Sequence, residues 1–161
     1  MGIITGELIR LDATLNDKES VIEYLVTTMK NQNRITDREK LLEDIYIREE
    51  EASTSMGLGI ALPHAKSEAV TQTSVVFLRL DHTISWNTDN DIQLIFGIFV
   101  PIENTDNEHL KILAHLARKL MSQDFREQLL AAQTVEECQD LLQSLNKEKK
   151  DEEVINNERE R

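Results

Sequence analysis

At 161 residues, with 40% hydrophobic and 30% charged residues, the chain can bury one sizeable core and is too short for two comfortable domains. Its net charge of −12 argues against non-specific binding to nucleic acid or anionic lipid, and is compatible with a basic protein partner. The single Cys138 excludes an internal disulfide framework and a cysteine-based zinc site. The opening Met1-Gly2-Ile3-Ile4-Thr5-Gly6-Glu7 lacks the basic region and apolar run of a signal peptide, and no stretch is long enough to span a bilayer. The expected compartment is the cytoplasm.

The opening to Leu15 holds Leu8, Ile9 and Leu11, a short strand or extended arm. Asn16 or Asp17 then caps a helix whose apolar positions Val21, Ile22, Leu25, Val26 and Met29 recur at helical spacing through Asn31. Thr36-Asp37-Arg38-Glu39 reads as a capping box with Thr36 as the cap. The helix it opens carries Leu41, Leu42, Ile45 and Tyr46 and runs towards Arg48-Glu49-Glu50-Glu51. Consecutive acids at a helix end oppose the macrodipole, so either the helix has already stopped or these residues have another job.

Ala52 to Gly57 is a polar loop of small residues. It leads to Gly57-Leu58-Gly59-Ile60-Ala61-Leu62-Pro63-His64-Ala65-Lys66, in which a buried strand over Ile60–Leu62 is expected to carry His64 to its exposed end. Pro63 has no N–H and is expected to stop the ladder there. Thr73 to Leu80 is rich in β-formers, Ile84-Ser85-Trp86 reads as a separate short strand, and a turn is expected at Asn87 to Asp91. Ile92 to Val100 is nearly continuous in apolar residues, the pattern of a central strand covered on both faces, and Pro101 ends it. The link from Trp86 to Ile92 is too short for a crossover helix, so these strands are antiparallel or pair elsewhere.

From Asp106 the period is helical again, with Leu110, Leu113, Ala114, Ala117, Leu120 and Met121 on one expected face. A second helix holds Phe125, Leu129 and Leu130, and a third opens at the capping box Thr134-Val135-Glu136-Glu137 and carries Leu141, Leu142 and Leu145. The expected fold class is α/β (α+β), a single three-layer domain with a mixed parallel and antiparallel sheet flanked by helices on both faces. It spans residues 1–146, followed by a charged, poorly ordered tail over 147–161.

Four histidines are present. His82 reads as a surface-turn residue and His115 as solvated beside Lys111, Arg118 and Lys119. His109 stands in a first helical turn above Ile112, Leu113 and Leu116, half-buried at the edge of the core, where it either bonds nearby backbone or serves a site. His64 is either a nucleophile or acid–base group near its ordinary pKa, or a plain surface histidine at a turn. No HExxH, GxSxG, Walker A or full dinucleotide fingerprint occurs, so no metal and no cofactor is expected. One candidate nucleophile without nucleotide or metal machinery suits a protein that takes a group onto its own side chain and hands it on.

Arg48-Glu49, Ser53-Thr54 and Gly57-x-Gly59-Ile60-Ala61-Leu62-Pro63-His64-Ala65-Lys66 resemble the active-site signature of the fructose/mannitol-type enzyme IIA domains of the bacterial phosphoenolpyruvate-dependent sugar phosphotransferase system. His109-Leu110-x-x-Leu113-x-x-Leu116-Ala117 resembles the helix that carries the family's second active-site histidine. The likeness covers roughly residues 4 to 145. It implies that His64 accepts a phosphoryl group from the phosphocarrier protein HPr and passes it to an enzyme IIB, which links it to a membrane-bound IIC. It further implies that His109 orients or stabilises the phosphohistidine, that Arg48 stabilises charge or meets a partner, and that Ser53 and Thr54 donate hydrogen bonds. Ala65 and Leu62 depart slightly from commoner choices without damage to the pattern. Nitrogen-type regulatory enzyme IIA proteins are similar too, with the histidine acting as a switch for binding other proteins. A purely structural acidic domain with an inert Pro-His turn is the remaining reading.

Overall fold

The computed structural model describes residues 2–103 and 107–146. A short 3₁₀ turn leads into β1, Ile9–Ala13. Helix α1, Lys18–Asn31, starts at Asp17, whose carboxylate accepts from the Ser20 N–H at 2.7 Å in a reciprocal capping box. Helix α2, Arg38–Glu51, is capped by Asp37 rather than Thr36: the Asp37 carboxylate accepts from the Lys40 N–H at 3.1 Å. Thr36 instead donates its backbone N–H to the Ala69 carbonyl at 2.8 Å, which turns its own backbone away from the helix start. The helix continues through all three terminal acids, so it has not stopped before them.

Three short strands follow: β2 Ser55–Gly57, β3 Ile60–Ala61 and β4 His64–Ser67. Long strands β5, Ser74–Trp86, and β6, Asp89–Pro101, form an antiparallel hairpin. The expected break between Leu80 and Ile84 is a register shift within one strand. Asp81, His82 and Thr83 are exposed there, so their polarity marks a strand edge in water and not a loop. His82 thus lies in a strand, against the Asp81 carboxylate.

The sheet runs β1-β5-β6-β3-β2, with β4 also on β6. Pairings β1–β5, β3–β6 and β4–β6 are parallel, while β2–β3 and β5–β6 are antiparallel, so the sheet is mixed as expected. Alternation in β5 and β6 sends Val76, Leu78, Ile95 and Phe99 to one face and Val75, Phe77, Leu94 and Phe96 to the other. Helices α1 and α2 cover the first face through Val21, Leu25, Leu41 and Ile45. The second is covered by α3, Glu108–Leu120, α4, Gln123–Ala131, and α5, Val135–Leu142. Strand β6 is central and covered on both sides, as its apolar run predicts.

Helix α3 buries Ile112, Leu116 and Leu120, whereas Leu110 and Met121 from its expected face are exposed. His115 is half-buried with Nε2 2.9 Å from the Ser144 hydroxyl, not simply solvated. Cys138 is fully buried, which pushes its thiol pKa up. The tail expected over 147–161 lies outside the described residues.

Arg79 locks β5 to the end of α4. Its guanidinium donates to the carbonyls of Leu129 at 2.9 Å and Ala132 at 2.6 Å, and pairs with Asp12 at 3.1 Å. Replacing Arg79 by Met strands those carbonyls and is expected to cost about 3 kcal/mol. Asp12→Ala removes a largely exposed carboxylate and is expected to cost about 1 kcal/mol or less. Urea unfolding checks both as a shift in midpoint at constant slope.

Candidate functional site

The site forms where α2 ends, the chain reverses, and β3 and β4 run beside β6. Gly57, Leu58 and Gly59 all have positive φ, at 77°, 61° and 77°, which folds β2 back on β3 in minimal length. At Gly59 a Cβ would also stand only 3.2 Å from the Asp91 carbonyl oxygen. Pro63 does not end the strand path. Ile60 and Ala61 pair with Leu94 and Ile95, then His64 to Ser67 pair with Ile98 to Pro101, leaving a jog at Leu62-Pro63. Proline lacks an N–H for the ladder, but its carbonyl accepts from the Ile98 N–H at 3.0 Å, so the strand resumes at once. Alternation in β4 points Ala65 and Ser67 inward and leaves His64 half-buried and Lys66 exposed on the other face.

The jog orients the imidazole. His64 Nδ1 lies 2.7 Å from the Leu62 carbonyl oxygen, which can only accept, so Nδ1 carries the proton. Nε2 therefore holds the lone pair, and Arg48 donates its Nε–H to it at 3.1 Å. Arg48 is itself anchored by an Nη1 bond to the Ala52 carbonyl at 3.0 Å. Burial pushes the His64 pKa below its ordinary value, and the Arg48 charge adds to this; the Leu62 bond, Glu49 and Glu51 act in the opposite direction. The balance keeps His64 neutral, the form in which Nε2 can attack.

His109 stands in the first turn of α3, half-buried as expected. Its pKa is lowered, first by burial and then by the charges of Lys66 and His64, which places it in the same electrostatic neighbourhood. Its Nδ1 is buried without a hydrogen-bond partner among the described residues. Ser53 does not turn to the imidazole: its hydroxyl donates to the Ser55 hydroxyl at 3.2 Å and accepts from the Ser55 N–H. Thr54 is buried and donates to the Glu49 carboxylate.

Glu49 and Lys66 are the neighbours that residue patterns alone left without a place. Glu49 is buried at 6% exposure, with Lys18 at 3.0 Å from its second oxygen, an ionic contact from a different helix. Its partners in α1 and the loop could not be read from local spacing. Lys66 could have been found from the two-residue period that sets it on the His64 face. Among the described residues no cluster of histidine, cysteine and carboxylate side chains could hold a metal ion.

Fold and site together define a mixed-sheet α/β protein built around one oriented, neutral histidine. The sequence model described as "Phosphoenolpyruvate-dependent sugar phosphotransferase system, EIIA 2" matches residues 2–145. The chain is 39% identical over 138 residues to the "PTS system fructose-specific EIIA component" of Haloferax volcanii, covering 84% of this chain and 89% of that one. It is 32% identical over 143 residues to "Multiphosphoryl transfer protein 1" of Escherichia coli, covering 88% of this chain but only 17% of that much longer protein. Among solved structures, nitrogen regulatory protein IIA-Ntr from Neisseria meningitidis superposes with a TM-score of 0.80 at 28% identity, covering 87% of this chain and 96% of that one. IIA mannitol from Escherichia coli superposes at 0.73 with 26% identity, covering 86% and 98%.

The chain belongs to the EIIA type 2 family of the phosphoenolpyruvate-dependent sugar phosphotransferase system. It is a phosphotransferase component of that system. Among the described residues no helix is long and apolar enough to cross a membrane.

Proposed function

We propose that this protein is a cytoplasmic phosphocarrier that takes a phosphoryl group from phospho-HPr onto His64 Nε2 and delivers it to an enzyme IIB for sugar uptake. The observation that carries this is the fixed tautomer: Nδ1–H is bonded to Leu62 and the Nε2 lone pair faces Arg48. The Nε2 lone pair forms the new P–N bond while the donor's P–N bond breaks and its electron pair returns to the donor imidazole. The Nδ1 proton stays where it is, so no base is needed. As the lone pair is used, the Arg48 N–H is freed to donate to a phosphoryl oxygen, and the guanidinium offsets the transferring charge. One P–N bond replaces a similar one, so alignment and charge account for most of the catalysis. His109, within electrostatic reach of Lys66 and the imidazole, orients the phosphohistidine or bonds its oxygens. The acidic chain attracts a basic face on HPr. IIB then provides the link to a membrane IIC.

Incubation with phosphoenolpyruvate, enzyme I and HPr tests this by intact mass. One phosphoryl group is expected, labile to acid, and discharged by a fructose-type IIB. A phosphorylated protein that no IIB discharges would favour the second reading, a regulatory role, which the IIA-Ntr likeness supports. No phosphorylation beside a working HPr control would overturn both.

Two further results are expected. Because the His64 pKa is depressed, the midpoint of the acid limb of acceptance is expected below the ordinary histidine value of about 6.5. Initial rates across a pH series, corrected for the donor's own titration, check this. His109→Ala is expected to accept with partial efficiency but to pass the group to IIB about ten- to a hundredfold more slowly, seen in single-turnover discharge.

A further inference from the structure

We propose that Glu49 and Thr54 are positioning residues for His64, acting through the Leu62 peptide. The assignment rests on the reading of His64 as the phosphoryl acceptor. A continuous set of bonds joins them. The Thr54 hydroxyl donates to the Glu49 carboxylate. The Thr54 carbonyl accepts from the Leu62 N–H at 2.9 Å. The Leu62 carbonyl, on the far side of the same residue, accepts from His64 Nδ1 at 2.7 Å. Leu62 stands at the jog between β3 and β4, outside the ladder pairs on either side, and its own N–H is held by Thr54 and not by β6.

Glu49 is fixed in turn from a third direction. Lys18, at the first position of α1, meets its second oxygen at 3.0 Å and lies over the Trp86 ring at 5.4 Å. A carboxylate in the last turn of a helix opposes the macrodipole, and burying it adds a desolvation cost. The ion pair and the threonine bond offset that cost and tie the end of α2 to the loop. Arg48 is the preceding residue on that helix end, so one anchor sets both the arginine and, through Leu62, the imidazole.

Thr54→Val and Thr54→Ser separate the hydroxyl from the shape without changing charge. Nitrogen NMR of labelled protein reads the His64 tautomer directly, and phosphorylation by phospho-HPr reads its consequence. Thr54→Val is expected to lose part of the Nδ1–H tautomer and to accept on the order of ten- to a hundredfold more slowly. Thr54→Ser, which keeps the hydroxyl, is expected to stay near wild type. Glu49→Gln is expected to fall between them, because its amide oxygen still accepts from Thr54 while the Lys18 pair is lost. Fluorescence of Trp86, the sole tryptophan, verifies that each variant is folded. A Thr54→Val protein with wild-type tautomer and rate would overturn the assignment, as would a Thr54→Ser protein equally impaired. If wild type itself takes no phosphoryl group, the phosphocarrier reading fails instead; the tautomer comparison still decides the positioning.

Discussion

His64→Ala is expected to reduce phosphoryl acceptance from HPr by more than about a thousandfold, to the background of the assay. No neighbour replaces it. His109 keeps its Nδ1 buried without a hydrogen-bond partner among the described residues, whereas the Leu62 carbonyl fixes the tautomer of His64. The variant is also expected to keep its fold, since His64 lies on the outward face of β4 and its neighbours Ala65 and Ser67 fill the core side. Its stability is expected to depend less on acid than that of wild type. The folded-state pKa of His64 is depressed, so the unfolded chain binds the extra proton first. That contribution is present above the ordinary pKa and is lost as pH falls through it towards the folded value. Intact mass for acceptance and urea midpoints at two pH values separate the chemical loss from any structural one.

The second large effect is expected at Arg48. Arg48→Met is expected to slow acceptance by about 10²–10³-fold, the range for removing a preorganised donor at a site of developing charge. Arg48→Lys is expected to recover only part of this. A single ammonium is a point charge and cannot hold the Ala52 carbonyl with one nitrogen while another addresses Nε2. The two variants also differ in pH response. The Arg48 charge helps hold the His64 pKa down, so in Arg48→Met the pKa rises and the acid limb of the rate profile moves to higher pH. In Arg48→Lys the charge remains and the limb stays near its wild-type place. Rates measured across the profile distinguish lost charge from lost geometry.

Much of this site is legible in residue order. A proline-histidine pair after a buried run, with small Ala65 behind it, marks His64, and helical spacing puts His109 half into the core. The central strand is legible because an apolar run from Ile92 to Val100 has no other stable home. The phase of α3 is not, because aliphatic residues occupy more than one side of that helix. Leu110 and Met121 compete with Ile112 and Leu116, and only the position of the sheet decides which stripe is covered. The cap at Asp37 fails for a related reason: Thr36 and Asp37 are both good caps, and the Ala69 carbonyl takes the Thr36 backbone out of contention. The role of Glu49 depends on Lys18 in another helix, a tertiary contact that no local pattern carries.

The jog at Leu62-Pro63 has a consequence for how the site opens. Its flanks are bonded to β6, the strand covered on both faces, and the Ile98 N–H that meets Pro63 belongs to that strand. Amides there are expected to be among the slowest to exchange with solvent. Arg48 sits within the last turn of α2, which the Ala52 carbonyl and the buried Glu49 tie to the following loop. The nucleophile is thus carried by the central sheet and its guanidinium partner by the end of a helix outside it. A carrier must both seize a group and let it go. Here the atom that bears the load and the group that grips it are carried on separate elements.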